Sequence, residues 1–402
     1  MHSRKSTNVS KDRKDLTFKS RPIRILHVVG SMNRGGIETW LMHILRNINR
    51  DRFQMDFLVH TTEPCSYDEE ILALGSKIIP CLNQPQPWIY ASNFKKILKN
   101  NGPYDIVHSH VHHYSGLTLF LAKQAGVPVR IAHSHNNTSS AEAQAGWKRK
   151  LYLALMEKSI ARYATLGLGA SHEAAIDLFG MTWKNDSRWQ ILYYGLDLTP
   201  FRMQIDKAAL RAEFNIPADA FVIGHVGRFE AQKNHQFILQ IATEIVKQEP
   251  KMRLFLVGVG PLREEVEQNV ARLGLKDHVI FAGVRSDVPQ LMLSIMDVFL
   301  FPSLFEGLGL VLIEAQAAGL VSVLSDVVPQ AADVVCPLIK RLSLSDSASF
   351  WAETVLAQKH QAAISQSKAL SLVANSQFNL EVCMEQLTKI YQSQFDRVTN
   401  FH

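Results

Sequence analysis

Cysteine is scarce: Cys65, Cys81, Cys336 and Cys383 are the whole complement of a 402-residue chain, and no two form a C-x-x-C pair. That argues against a structural zinc site and fits a reducing compartment, so a cytoplasmic location is expected. Long hydrophobic runs are missing as well. No apolar stretch approaches the ~20 residues that cross a bilayer, and the basic N-terminus has no apolar segment behind it, so no secretory signal is expected. The third absence is net charge in the body of the protein. Residues 1–24 carry eight Lys or Arg against Asp12 and Asp15, an excess equal to the chain's whole net charge of +6. The rest is formally neutral, and no nucleic-acid-binding face is expected on it. The leader, residues 1–21, reads as disordered. It is either a solvated tail or an electrostatic tether to anionic lipid.

What is present is regular alternation. Length and a hydrophobic fraction of 47% suit two soluble domains. Ile23 to Val29 reads as a strand, Gly30 to Gly36 as a glycine-rich loop and Ile37 to Asn47 as an amphipathic helix. Amides at such a helix start can meet an anion, although the spacing is not G-x-G-x-x-G and a turn serving only strand-to-helix geometry reads equally well. Strand and helix then repeat to about residue 180. Repeated units of this kind form a parallel sheet covered on both faces, with ligands at the carboxyl ends of its strands. The loops at Gly35/Gly36, His108 to His113 and His133 to Asn137 belong to that edge. Six histidines gather there: His108, His110, His112, His113, His133 and His135. Three readings stay open: a metal site, ordinary polar histidines, or one histidine in catalysis or substrate binding, with His133 the better candidate at the end of a buried strand.

The second half repeats the pattern. A strand, Phe221 to Gly227, delivers Arg228 and Lys233 into a strand-to-helix loop, where two cations and helix N-terminal amides suit a pyrophosphate. Further on, Asp297 to Phe301 reads as a buried strand and Leu310 to Ala318 as a helix ended by Gly319. Glu306-Gly307-Leu308-Gly309 lies between them. Glu306 stands at the loop mouth, and Glu314 lies within the helix beside Leu312 and Ile313, an apolar place for a charge. Either glutamate could be bland: a carboxylate favoured at a helix start, or a solvated spot. Residues 322–345 resist assignment, and Phe378 to Phe395 reads as a closing helix.

Taken together, these residues resemble the retaining family 4 glycosyltransferases of the GT-B fold, of the bacterial capsular and exopolysaccharide kind. The resemblance rests on Gly35-Gly36-Ile-Glu38, His133, Gly227-Arg-Phe with Lys233-Asn, Val257-Gly-Val-Gly-Pro261, Phe281-Ala-Gly283, and Phe301-Pro-Ser with Glu306-Gly and Glu314-Ala. It implies an α/β protein of two Rossmann-like domains facing a cleft. The expected division is an acceptor-side domain at 22–197, a nucleotide-sugar domain at 198–375, and a helix at 376–402 with room to pack back on the first domain. By the same resemblance Arg228 and Lys233 bind the donor diphosphate, Glu314 the ribose hydroxyls, Glu306 with Gly307, Leu308 and Gly309 the donor hexose, and Gly35 and Gly36 approach the diphosphate from across the cleft. His133 lies near the reacting sugar, and His133 and Glu306 are the expected catalytic residues.

The resemblance further implies no cofactor beyond the nucleoside-diphosphate sugar itself and no metal, in keeping with the lack of a D-x-D motif. Expected partners are that donor, a glycan or lipid-linked acceptor, and an anionic membrane touched peripherally at the inner face of the plasma membrane. Val328-Pro-Gln-Ala-Ala-Asp333 departs from the family's acidic run, with Gln330 in place of an acid. Two alternatives share these features: a sugar-nucleotide epimerase of the same fold, and a nucleotide-sugar-binding protein without catalysis.

Overall fold

The computed structural model describes residues 21–135, 146–359 and 364–399. Residues 1–20 of the leader expected to be disordered, and Asn136 and Asn137, lie outside the described residues; the leader's last residue, Arg21, is held by Asp105 at 2.7 Å. Two parallel sheets organise the chain. The first holds β1 (Ile23–Val29), β2 (Phe53–Val59), β3 (Ile78–Pro80), β4 (Ile106–Ser109), β5 (Val129–Ser134), β6 (Leu166–Gly169) and β7 (Trp189–Ile191), in the order β3-β2-β1-β4-β5-β6-β7. The second holds β8 (Val222–Val226), β9 (Arg253–Val257), β10 (Val279–Gly283), β11 (Val298–Phe301), β12 (Val321–Ser325) and β13 (Ile339–Leu342), in the order β10-β9-β8-β11-β12-β13. Central strands are buried almost throughout, as strands covered on both faces must be. The two Rossmann-like domains of the GT-B arrangement are therefore present.

Strand order reverses beside β1 in the first sheet and beside β8 in the second. At such a point neighbouring connections run to opposite faces and leave a crevice at the carboxyl edge. The loops after β1 and β4 share the first crevice. The loops after β8 and β11, which carry Arg228 to Lys233 and Pro302 to Gly309, share the second.

The stretch 322–345 contains β12 and β13. Its strand signal is weak because the first, Val-Ser-Val-Leu-Ser, is interrupted by serines that the fold satisfies internally. Ser325 Oγ donates to the Ser303 carbonyl at 2.6 Å. The second, Ile-Lys-Arg-Leu, is a half-exposed edge strand. Short β7 and the helices Ala348–Leu356 and Gln366–Ala374 were also not anticipated.

The closing helix, Leu380–Thr399, packs into the core of the first sheet through Cys383, Leu387 and Tyr391. Trp40 Nε1 donates to Cys383 Sγ at 3.4 Å. The chain reaches this helix beside its own earlier crossing: Leu196 pairs with Asn379, and the Leu196 N–H donates to the Phe378 carbonyl at 2.8 Å. Gly195 leaves no space there, since a Cβ would stand 2.5 Å from Leu380 Cα and 2.8 Å from Cys383 Cβ. Gly195→Ala should therefore push the helix off its seat at a cost of about 1–3 kcal/mol. The expected outcome is a lower melting temperature with new protease cleavage near residues 376–379. Unchanged melting and cleavage would show that the backbone relaxes around the methyl group.

Candidate active site

The second-domain half of the site is built on β8 and β11. Asn234, in a left-handed conformation, starts the helix His235–Val246 and anchors its loop by donating to the Pro302 carbonyl at 3.2 Å. This brings Lys233 against Glu306, Nζ to Oε1, at 2.5 Å, with both side chains largely buried. The Lys233 ammonium also lies 4.9 Å from the centre of the Phe301 ring, a favourable cation–π placement. Arg228 is exposed and pairs with Glu230 at 2.9 Å. Gly309 has φ +84° at the start of the helix Leu310–Ala317, a conformation that favours glycine. Glu314 lies inside that helix, half-buried. Its carboxylate has no hydrogen-bonding or charged partner among the described residues, and burial pushes it up to about 7.

The first-domain half is the loop after β1. Gly35 is extended and caps the helix Gly36–Asn47. The Glu38 carboxylate folds back so closely that a Cβ on Gly35 would lie 2.4 Å from its Oε2. Burial raises the Glu38 carboxyl, against a hydrogen bond to its own main chain and the attraction of Arg228 in the other domain. Gly36 is exposed and stands next to Leu310, which packs against the cores of both domains. The Gly35/Gly36 loop, Arg228 and the Gly309–Leu310 helix start are thus brought together. Glu38 is a further member that went without a role at the level of sequence, although it belongs to the Gly-Gly-Ile-Glu motif.

The histidines form a buried stack. His27 is opposite His108 in the β1–β4 register, and His133 follows on β5. Two hydrogen-bonded chains run through it. Tyr391 OH meets His108 Nδ1 at 2.8 Å, and His108 Nε2 meets His133 Nδ1 at 3.1 Å. His27 Nδ1 meets His110 Nε2 at 2.9 Å, and His110 Nδ1 meets His135 Nε2 at 2.8 Å. Burial lowers His27 and His135 to about 3 and holds His108, His110 and His133 well below the usual range, so all five rings are neutral. Neutral rings are also metal ligands: His27, His108 and His110, and again His110, His133 and His135, bring three ring nitrogens within 4.8 Å of one another.

His133 is fully buried and bonded to His108, while His135, just past the end of β5, is the member nearer the carboxyl edge. His112 and His113 are separate from the stack; His112 Nε2 pairs with Asp177 at 2.8 Å and His113 Nε2 approaches Glu157 at 3.5 Å. His27 and Tyr391 were missed because one sits in mid-strand and the other on the distant closing helix.

Residues 206–355 match the family described as glycosyl transferases group 1, and residues 35–183 match the glycosyl transferase 4-like domain. The chain is 39% identical over 335 residues to the Bacillus subtilis (strain 168) protein EpsF, which carries a glycosyltransferase name, across 83% of this chain and 86% of that one. It belongs to the group 1 glycosyltransferases. The capsular polysaccharide biosynthesis glycosyltransferase CapH of Staphylococcus aureus is 26% identical over 92% of this transferase and 99% of its own length. An Escherichia coli enzyme named for galactosyl transfer from UDP-Gal to α-D-GlcNAc-diphosphoundecaprenol is 29% identical over 58% of this chain and 60% of its own. Among solved structures, Anabaena HepE in complex with UDP and glucose shares the fold, with a TM-score of 0.77, 20% identity, and coverage of 92% of this chain and 100% of that one. Among the described residues, no helix of the transferase is long and apolar enough to cross a membrane.

The neutral stack makes stability depend on pH. In the unfolded chain these histidines take up protons near pH 6.5, whereas the folded protein refuses them until about pH 3 at His27 and His135. The contribution of these histidines to stability is therefore fully present above pH 6.5 and is lost below it, by up to ~1.4 kcal/mol per pH unit for each histidine. The melting temperature should drop steeply from pH 7 to pH 5, and less steeply in His27→Phe, whose ring can stack on Phe57 as His27 does. Identical slopes in the two proteins would show that His27 takes no part.

Proposed function

We propose that this glycosyltransferase moves a hexosyl group from a nucleoside-diphosphate sugar, with retention of configuration and without a bound metal, to a glycan or lipid-linked acceptor in bacterial cell-surface polysaccharide assembly. The work would be done in the cytoplasm, at the inner face of the plasma membrane. The observation that carries the reading is the Lys233–Glu306 pair beside Arg228 at one switch point, facing the Gly35/Gly36 loop of the other domain. UDP and glucose on the HepE structure, and the lipid-linked acceptor in the name of the Escherichia coli relative, support the choice of donor and acceptor classes.

The roles follow from charge. As the glycosidic bond breaks, the leaving nucleoside diphosphate gains negative charge, and fixed cations from Arg228 and Lys233 stabilise that state more than the ground state. Glu314, a carboxyl without a protein partner, accepts from the ribose hydroxyls. Glu306, oriented by Lys233, and the backbone of Gly307, Leu308 and Gly309 hold the hexose. Gly35 and Gly36 let the first domain approach the diphosphate closely. His135 meets the sugar side of the cleft, and His133 positions it from behind, their ring centres 4.1 Å apart. The acceptor attacks from the face the nucleotide leaves, through an oxocarbenium-like state, with no covalent enzyme intermediate.

Two measurements test the reading. Thermal stabilisation by UDP, GDP, ADP, CMP and dTDP, each with and without EDTA, should show a clear shift with one diphosphate, about 2.7 kcal/mol at a hundred times its dissociation constant. EDTA should leave that shift intact. No shift with any nucleotide would reject the donor site, and a shift abolished by EDTA would reject metal independence and turn attention to the histidine stack. Glu306→Gln should lower turnover by about 10²-fold while the nucleotide shift persists. Undiminished turnover would remove Glu306 from the mechanism.

A further inference from the structure

Two helices at the edge of the first domain carry large apolar side chains that are exposed to solvent. The helix Trp147–Tyr163 is held through Ile160, its one fully buried residue, and through Ser159, whose Oγ donates to the Gly116 carbonyl at 2.7 Å. Its outward side exposes Trp147 at 72%, Leu151 at 54% and Leu155 at 53%. These are four apart and form one stripe. The helix Pro87–Asn101 packs on the far flank of the same neighbour, helix Ser115–Gln124, and exposes Trp88 at 73%. Helix Pro87–Asn101 follows β3, and helix Trp147–Tyr163 meets the start of helix Ser115–Gln124, just after β4, with its later residues Met156 and Ser159 and runs alongside it to Phe120 and Tyr163, so both tryptophans stand at the carboxyl edge, the edge that holds the Gly35/Gly36 loop.

Charge on the two helices is one-sided. Lys148, Lys150, Lys158 and Arg162 on one, and Lys95, Lys96 and Lys99 on the other, are exposed. The only acid in either helix is Glu157, which approaches His113. In a body that is formally neutral beyond residue 24, this is a local concentration of positive charge around an apolar stripe. A second copy of the chain would set these like charges against each other. A bilayer surface with anionic headgroups satisfies both features: tryptophan rings settle at the headgroup level, leucines enter the acyl boundary, and lysine and arginine reach out to phosphate.

We propose that Trp88, Trp147, Leu151 and Leu155, ringed by these lysines and Arg162, seat the first domain on anionic lipid and hold its carboxyl edge at the bilayer, where a lipid-linked acceptor emerges. The lipid surface stands on these residues alone; its purpose rests on the function proposed above.

Co-sedimentation of the full-length protein with vesicles separates the outcomes. Vesicles of phosphatidylcholine alone are compared with vesicles also holding phosphatidylglycerol. Three proteins are used: wild type, the double variant Leu151→Glu/Leu155→Glu, and a variant with the leader cations Arg4, Lys5, Lys11, Arg13, Lys14 and Lys19 changed to Gln. Wild type should pellet with the anionic vesicles only. The leader variant should keep most of that binding, and the double leucine variant should lose about tenfold or more in affinity, from two buried leucines replaced by charges that the surface repels. Equal pelleting of wild type and the leucine variant would overturn the proposal. So would loss of binding confined to the leader variant, or a leucine variant whose only change is dissociation of a dimer. The nucleotide-induced thermal shift, measured on all three, shows that each is folded. Its absence in wild type with pelleting intact would sink the donor reading and leave the lipid surface standing.

Discussion

Lys233 and Glu306 hold each other in a place where neither charge could stand alone. A lone ammonium or carboxylate so far from water would carry several kcal/mol of lost hydration. Together they tie the loop after β8 to the loop after β11, the two connections that diverge at the reversal of strand order. The surrounding details serve that tie. Asn234 fixes the first loop on the Pro302 carbonyl, Gln232 donates to the Phe305 carbonyl at 2.9 Å, and the Phe301 ring lies beneath the ammonium. A crevice that the topology alone would leave open thus acquires a rigid floor with one cation and one carboxylate in set positions.

The first domain solves a related problem without charge. Its carboxyl edge is filled with polar rings, and five histidines buried as cations would repel one another and face the same desolvation. They remain neutral and pass hydrogen bonds along two chains. Trp40 closes the stack from one side, and Tyr391 ends one chain with its hydroxyl. That hydroxyl arrives on the helix Leu380–Thr399, so the interior of the first domain is complete only after residues 380–399 return to it. The paired crossings at Leu196 and Asn379 give the two domains a narrow double connection, with Gly195 as its tightest point.

Much of this could be read from the residues. Central strands such as Ile23 to Val29 and Val298 to Phe301 are apolar because both faces are covered, and that pattern survives in the sequence. The switch-point loops were legible because glycine, arginine, lysine and glutamate at strand ends have few other reasons to recur in that order. Edge strands were not: Ile339–Leu342 is half-exposed and mixes charge with apolar residues, and its partner Val321–Ser325 is satisfied by a contact with Ser303 that no local pattern announces. The histidine stack was half legible. His-x-His spacing placed pairs of rings on one face of β4 and β5, but the alignment with His27 depends on sheet register and the contact with Tyr391 on a helix almost three hundred residues away. Glu38 shows a further limit, since its carboxylate matters through a fold-back on Gly35 and a facing arginine in the other domain.

On the proposed function, the crevice that would take the donor has a consistent electrostatic design. Its two expected diphosphate-binding cations already face carboxylates: Lys233 has Glu306, and Arg228 has Glu230 on its own loop and the field of Glu38 across the cleft. A cleft of bare cations would bind any polyphosphate tightly and bind product as firmly as substrate. Partial neutralisation weakens that uniform attraction, because an arriving diphosphate must compete with carboxylates in place. In the proposed reaction the competition eases as negative charge builds on the leaving phosphate, when the cations shift their strongest interaction to it and the carboxylates turn toward the electron-poor sugar. Interactions that strengthen only at that stage accelerate the reaction, whereas those already complete in the ground state merely tighten binding. In the proposed reaction Glu306 has both roles at once: it restrains Lys233 before the bond breaks, and it faces positive charge on the sugar as it does.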